Sequence, residues 1–316
     1  MATRSHVEYA AELKPTWCPG CGDYGVLSCM FKAMAELDLA PENAALITGI
    51  GCSSRVAGFV NTYGFNAVHG RALPMALGVK MANPSLTVVA AGGDGDGFAI
   101  GGGHIPHLAR KNLDITYIVM DNQNYGLTKG QVSPTSMLSY ETGTTPYGSI
   151  EMPLNPIALA LTYGATFVGR GYSSNVKETT DLIVKGIQHP GFAFLQVLSP
   201  CPVFNKVDTF KAFSTRIQPM PEGWDPTNRL AALTLALTEE KVHLGVFYQV
   251  QVPTYENRWE DLRAKAKAEG HASIEALVQR ALADPAPTEE DASWRSRWER
   301  KRRTSPWWTP RSSPVP

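Results

Sequence analysis

A run of apolar residues, Leu86 to Ala91, opens directly into Gly92-Gly93-Asp94-Gly95-Asp96-Gly97. The run reads as a buried parallel strand, because it is apolar without alternation. Glycines at its carboxyl end let the backbone approach a ligand closely, and two acids stand among them. A helix is expected from about 97 to 110, and then a second apolar strand, Ile115 to Met120, ending in Asp121, Asn122 and Asn124. Open α/β sheets collect ligands at the carboxyl ends of neighbouring strands. Glycine amides with hard oxygen groups on two such ends suit a diphosphate held through Mg²⁺. The spacing is not that of a dinucleotide fingerprint, since no G-x-G-x-x-G with a following ribose acid is laid out.

The rest of the chain repeats this rhythm. Helices are expected at 22–37, 71–82, 155–163, 175–188 and 226–240, and strands at 44–49, 86–91, 114–120, 165–169, 192–198 and 244–250. That alternation predicts an α/β fold with a doubly wound, mainly parallel sheet. The stretch 123–150 is too long for an ordinary connection and is rich in Gly, Thr, Ser and Pro. We divide the chain into a domain over 1–254 and a C-terminal extension over 255–316. The extension begins as a charged helix over 255–283. Beyond it come Arg295, Arg297, Arg300, Lys301, Arg302 and Arg303 together with Trp294, Trp298, Trp307 and Trp308. Tryptophans are costly to leave in water, so this tail is expected to dock on the body or on a partner.

Charge and cysteine usage narrow the function. Lys+Arg and Asp+Glu both number 29, so no surface for nucleic acid or membrane is expected. The N-terminus has no apolar secretory core, which points to the cytoplasm and to thiols with metal or redox roles. Cys18-Pro19-Gly20-Cys21 is a C-x-x-C, and Cys52 and Cys201 each follow an expected strand. Four thiolates of this kind suit either Zn²⁺ or a [4Fe-4S] cluster. Cys29 lies at helical spacing with Val26, Met30 and Ala33, as a buried apolar thiol would.

A GDG followed 28 positions later by Asn122 resembles the thiamine-diphosphate signature. That resemblance implies Mg²⁺ bound by Asp94, the Asn122 side chain and the Asn124 carbonyl, with Asp96 as the alternative start of the motif. With the cysteines added, the chain resembles the beta subunits of 2-oxoacid:ferredoxin oxidoreductases, of the 2-oxoglutarate type. The segments carrying the likeness are WCPGCGDYGVL, GIGCSSR, HGRALPMALGVKMANP, GGDGDGFAIGGGH, NQNYGLTKGQVSPTS and SPCPVFN. The resemblance implies that Cys18, Cys21, Cys52 and Cys201 hold one [4Fe-4S] cluster. It also implies that Gly93, Gly95, Asp96, Gly126, Leu127, Thr128 and Ser53 border the cofactors.

His69, at the start of a helix, and Lys129, in the long loop, are candidates for contact with phosphate or a substrate carboxylate. Arg55 is a third, although many relatives carry lysine there. The implied reaction is coenzyme A-dependent oxidative decarboxylation of 2-oxoglutarate, with electrons leaving through the cluster to ferredoxin. The competing expectations are a pyruvate or broad 2-oxoacid enzyme, and a zinc-stabilised phosphate-binding module without catalysis. One doubly wound sheet is half of a thiamine site. An alpha subunit is therefore expected to supply the pyrimidine-side domain and its glutamate, as a heterodimer paired into a heterotetramer.

Overall fold

The computed structural model describes residues 4–238 and 240–270. Eight strands form one sheet in the order β2-β1-β3-β4-β6-β5-β8-β7. They are β1 (Ala44–Thr48), β2 (Tyr63–Asn66), β3 (Thr87–Gly93), β4 (Ile115–Asp121), β5 (Phe167–Tyr172), β6 (Phe192–Leu198), β7 (Ile217–Pro219) and β8 (Val242–Gln249). From β2 to β5 every pairing is parallel. β8 runs antiparallel to β5 and departs from the expected parallel pattern. The parallel strands therefore end at one edge, where the loops after β1, β3, β4 and β6 carry the GCSS, GDGDG, DNQN and SPC segments.

Both faces are covered because successive side chains on a strand point opposite ways. Val88 and Ala90 of β3 join Ile115, Tyr117 and Val119 of β4 in one core, under α2 (Ala72–Ala82), α3 (Ile105–Lys111), α4 (Pro156–Tyr163) and α7 (Arg229–Thr238). Val89 and Ala91 join Ile118 and Met120 in the other, under α1 (Asp23–Glu36) and α5 (Val176–Gln188). Cys29 is fully buried in that second core, packed as an apolar residue.

Among the described residues, two strands and one α-helix are not expected from sequence: β2, β7 and α6 (Phe210–Arg216). The helix expected over 97–110 is divided. A π-helical turn covers Gly95–Ile100, and α3 begins only at Ile105. Gly101, Gly102 and Gly103 interrupt it, as consecutive glycines weaken a helix. A helix α8 (Tyr255–Ala268) follows β8. Contact density separates a unit ending at Trp259 from one beginning at Glu260. The Arg- and Trp-rich segment of the expected extension lies outside the described residues, as does the second half of the helix expected over 255–283. Among the described residues no helix is long and apolar enough to cross a membrane.

Candidate active site

A cavity of about 290 Å³ opens at the carboxyl edge of the sheet. The turn after β3 supplies Gly93, Asp94, Gly95 and Asp96; the segment after β4 supplies Asn122, Asn124, Gly126, Leu127 and Thr128. Cys52 and Ser53 come from the loop after β1, and His69 from the loop before α2. Sequence motifs lying far apart thus share one wall. Arg55 and Lys129 are not in that lining, and both side chains are exposed. Lys129 sits at the tip of a turn closed by the Tyr125–Gln131 bridge, with φ +81°. A non-glycine residue there is strained by the contact of Cβ with its own backbone.

Asp94 is 1% exposed, and its Oδ2 accepts hydrogen bonds from the Ser133 and Thr135 hydroxyls, the latter at 2.7 Å. Thr135 Oγ1 also stands 2.9 Å from Asp121 Oδ1, and Gln196 Nε2 donates to Asp121 Oδ2 at 2.7 Å. Burial, and then the Asp121 charge, push the Asp94 carboxyl up to about 7. Buried beside a second acid, such a carboxyl gains from a cation. Asn122 is folded onto its own loop: its Oδ1 accepts from the Asn124 amide at 3.1 Å, while Asn205 Nδ2 donates to its carbonyl at 3.2 Å. Asn124 Oδ1 is buried without a hydrogen-bond partner. Buried oxygens are rarely left so unless something else binds them. A carboxylate, amide oxygens and an orphaned oxygen around one cavity form a donor set that fits a hard divalent cation.

The support that Ser133 and Thr135 give Asp94 is not legible from sequence, where QVSPTS reads as part of a long polar loop. Its signal is a cluster of small hydroxyl residues that follows a buried acid in space but not in sequence.

Three loops bring the other four cysteines to the same edge. The Trp17 indole donates to the Cys52 carbonyl at 2.7 Å, and the Gly22 amide donates to the Pro200 carbonyl at 3.1 Å. A Cβ on Gly22 would stand 2.7 Å from Ser199, so that approach needs glycine. Cys18 is exposed, Cys21 and Cys52 are half-buried, and Cys201 is buried. Burial and the nearby Asp23 carboxyl push the Cys52 thiol up to about 11; the same two causes raise Cys21, and Cys201 adds to both.

These thiols feel one another, yet among the described residues no three His, Cys, Asp or Glu converge as a cage for a single ion. A cubane cluster spreads its thiolates over four iron corners, and its irons offset the mutual repulsion of the sulfurs. Four thiols brought to one edge form a donor set that fits such a cluster.

Comparison with known proteins places the chain among relatives. A family described as "Thiamine pyrophosphate enzyme, C-terminal TPP binding domain" matches residues 49–197, and the C-terminal family of the pyruvate ferredoxin oxidoreductase beta chain matches 201–264. A 2-oxoacid:ferredoxin oxidoreductase beta subunit of Aeropyrum pernix is 41% identical over 82% of this chain and 88% of its own. The 2-oxoglutarate synthase subunit KorB of Methanocaldococcus jannaschii is 37% identical over 80% of this chain and 94% of its own. Among solved structures, the 2-oxoglutarate:ferredoxin oxidoreductase of Magnetococcus marinus, with 2-oxoglutarate, coenzyme A and succinyl-CoA bound, is 44% identical. It superposes with a TM-score of 0.86 over 90% of this chain and 98% of that one.

Proposed function

The chain belongs to the family of 2-oxoacid:ferredoxin oxidoreductase beta subunits, and we propose that it is the diphosphate-side half of an enzyme that oxidatively decarboxylates 2-oxoglutarate. One observation carries this reading: a single cavity is lined both by Asp94, Asn122 and Asn124 and by Cys52. A thiamine diphosphate held through Mg²⁺ and an iron–sulfur cluster would then lie side by side within one chain. When bound, the thiamine supplies the electron sink for loss of CO₂ from the 2-oxoacid, and the cluster supplies a one-electron path onward to ferredoxin.

The chain's own residues bind and orient. Asp94 and the Asn122 side chain would hold Mg²⁺ with the backbone carbonyl of Asn124. Gly93 and Gly95 would let the backbone approach the diphosphate, and Leu127, exposed at the rim, would form an apolar lip once a partner closes over it. Cys18, Cys21, Cys52 and Cys201 would hold the cluster. Ile50, Val68, Ile100 and Leu127 around this edge are exposed apolar residues. Such a collar suits an alpha subunit that closes the cavity, adds the pyrimidine-side domain and forms the heterotetramer. A cytoplasmic location belongs to the same reading.

The substrate assignment draws on the Magnetococcus marinus neighbour, which is described with 2-oxoglutarate and coenzyme A bound. A second substrate carboxylate buried without a cation would cost several kcal/mol. Lys129, on the strained turn beside Thr128, is the candidate for that contact. The test is ferredoxin reduction by the assembled complex with a panel of 2-oxoacids, with and without Lys129→Ala. The variant should raise KM for 2-oxoglutarate roughly ten- to a hundredfold and leave 2-oxobutyrate little changed. Equal losses would assign Lys129 to a cofactor, and preference for pyruvate would overturn the choice of acid.

A further inference from the structure

Asp96 is 3% exposed, and three donors converge on its Oδ1. The Ile50 amide donates at 2.9 Å from the loop after β1, and the Gly70 amide at 2.7 Å from the loop before α2. His69 Nδ1 lies 2.8 Å away. The carboxylate fills a slot that only glycine leaves open: a Cβ on Gly49 would collide with it, and one on Gly92 would stand 3.0 Å from its Oδ2. Asp96 thus ties together three loops of the cavity rim.

That geometry fixes the imidazole. An oxygen that already accepts two amide hydrogens is a carboxylate acceptor, so the third group must donate. Nδ1 of His69 therefore carries the hydrogen, and Nε2 is the nitrogen left to meet a ligand. The ring lines the cavity beside Gly95 and Asp94 and is 38% exposed, so Nε2 is reachable. Tyr125, whose hydroxyl donates to the Gly95 carbonyl at 3.2 Å, flanks it at a ring-centroid distance of 6.2 Å. The glycine turn and the metal-binding oxygens mark this end of the cavity as the anionic one.

We propose that Asp96 is a positioning residue that locks His69 with Nδ1 donating, so that Nε2 binds the diphosphate end of the cofactor. The proposal rests on the thiamine-diphosphate reading above and assigns Asp96 an indirect role rather than metal binding. With the Asp96 carboxylate behind the ring and the ligand's anion in front, the ring binds the anion as the imidazolium: a second proton sits on Nε2, and that N–H is a charge-assisted donor.

The test uses the full-length chain assembled with its partner, stripped of cofactor and titrated with thiamine diphosphate at fixed Mg²⁺. His69→Asn keeps an amide N–H where Nδ1 stands but offers nothing at the Nε2 position; His69→Gln reaches towards it. His69→Asn should weaken binding roughly ten- to a hundredfold. His69→Gln should recover most of that loss, and KM for the 2-oxoacid at saturating cofactor should not move in either. Asp96→Asn, which still accepts from Ile50 and Gly70, should weaken binding in the same direction. It should also shift the ¹⁵N resonances of the His69 ring, which in the wild type report a protonated Nδ1 and a bare Nε2 at alkaline pH. Equal affinities in wild type and both His69 variants would overturn the proposal. So would a loss confined to the 2-oxoacid KM, or His69 resonances untouched by Asp96→Asn. A wild-type complex that binds no thiamine diphosphate would instead overturn the functional reading, and the ¹⁵N signature would still decide the Asp96–His69 geometry.

Discussion

The oxygen-lined wall and the thiol corner share an edge of the sheet but are built on different principles. Around Asp94 and Asn122 the groups are buried and held by named partners: Ser133 and Thr135 on the Asp94 carboxyl, the Asn124 amide on the Asn122 side chain, and Asn205 on the Asn122 backbone carbonyl. Around the cysteines the backbone is held, through Trp17, Gly22 and Pro200. The Cys21 and Cys52 thiols are left with raised pKa values, and among the described residues the thiols do not converge on one point. The oxygen wall is nearly complete before its ligand arrives. Burial and the nearby Asp23 carboxyl disfavour the thiolate forms at Cys21 and Cys52, so these thiols ionise only when a cationic core is there to bind them. Preorganisation thus protects the first site, whereas the second depends on what it binds.

This contrast can be broken most severely at the thiols. Replacing Cys18, Cys21, Cys52 or Cys201 with Ala should abolish the iron and sulfide content of the anaerobically prepared chain, while Cys29→Ala should keep both; iron and acid-labile sulfide analysis decides. Loss of iron from Cys29→Ala alone would reverse the grouping. At the oxygen wall, Asp94→Ala should remove tight Mg²⁺ and thiamine-diphosphate binding yet leave iron content unchanged, since the two ligand sets share no residue. Calorimetric titration with cofactor and Mg²⁺ reads this. A smaller effect is expected from Thr135→Val, which takes away the hydroxyl between Asp94 and Asp121 without opening space. Loss of such a supporting contact should cost roughly ten- to a hundredfold in metal affinity. A variant with wild-type affinity would mean that Ser133 alone suffices to hold Asp94.

Much of this is legible in the sequence, and the failures have physical causes. The strands β3 and β4 are continuous apolar runs ending in glycine or acid, so their positions and their ligand-bearing ends can be read directly. The helix α2 (Ala72–Ala82) agrees closely with the expectation over 71–82. β2 cannot be read, because Tyr63, Gly64, Phe65 and Asn66 lie on the sheet's edge with every residue exposed and no alternation to betray them. The antiparallel setting of β8 is equally hidden, since Val242–Gln249 is only partly buried and shows no clean alternation to set it apart from its parallel neighbours. Site residues are found where a motif carries them. Ser133, Thr135, Asn205 and Gln196 escape because only folding brings them to Asp94, Asn122 and Asp121. The Asp96 contact with His69 is invisible for the same reason, although a motif marks each of the two residues on its own.

A last and smallest prediction separates the fold from both sites. His189 is buried just after α5, with Nε2 2.8 Å from Thr166 Oγ1 and Nδ1 unpartnered. Burial lowers its pKa below the usual 6.5. The unfolded chain therefore takes up a proton near pH 6.5 before the folded chain does, and stability should fall as pH drops from about 7 towards the lower, folded value. Thermal melts between pH 7 and 5 should show a shallower decline in His189→Gln than in wild type, with cofactor binding unaffected. Parallel declines would remove His189 from the account.

On the proposed reading, one chain holds a thiamine-diphosphate site and an iron–sulfur cluster close enough to exchange electrons. Electron paramagnetic resonance of the anaerobically co-purified alpha–beta complex, before and after addition of 2-oxoglutarate and coenzyme A, tests it directly. The complex should be brown, with a reduced-cluster signal that appears only on adding both compounds and is absent in Asp94→Ala. A colourless, zinc-loaded complex, or a cluster that 2-oxoglutarate and coenzyme A leave oxidised, would contradict it.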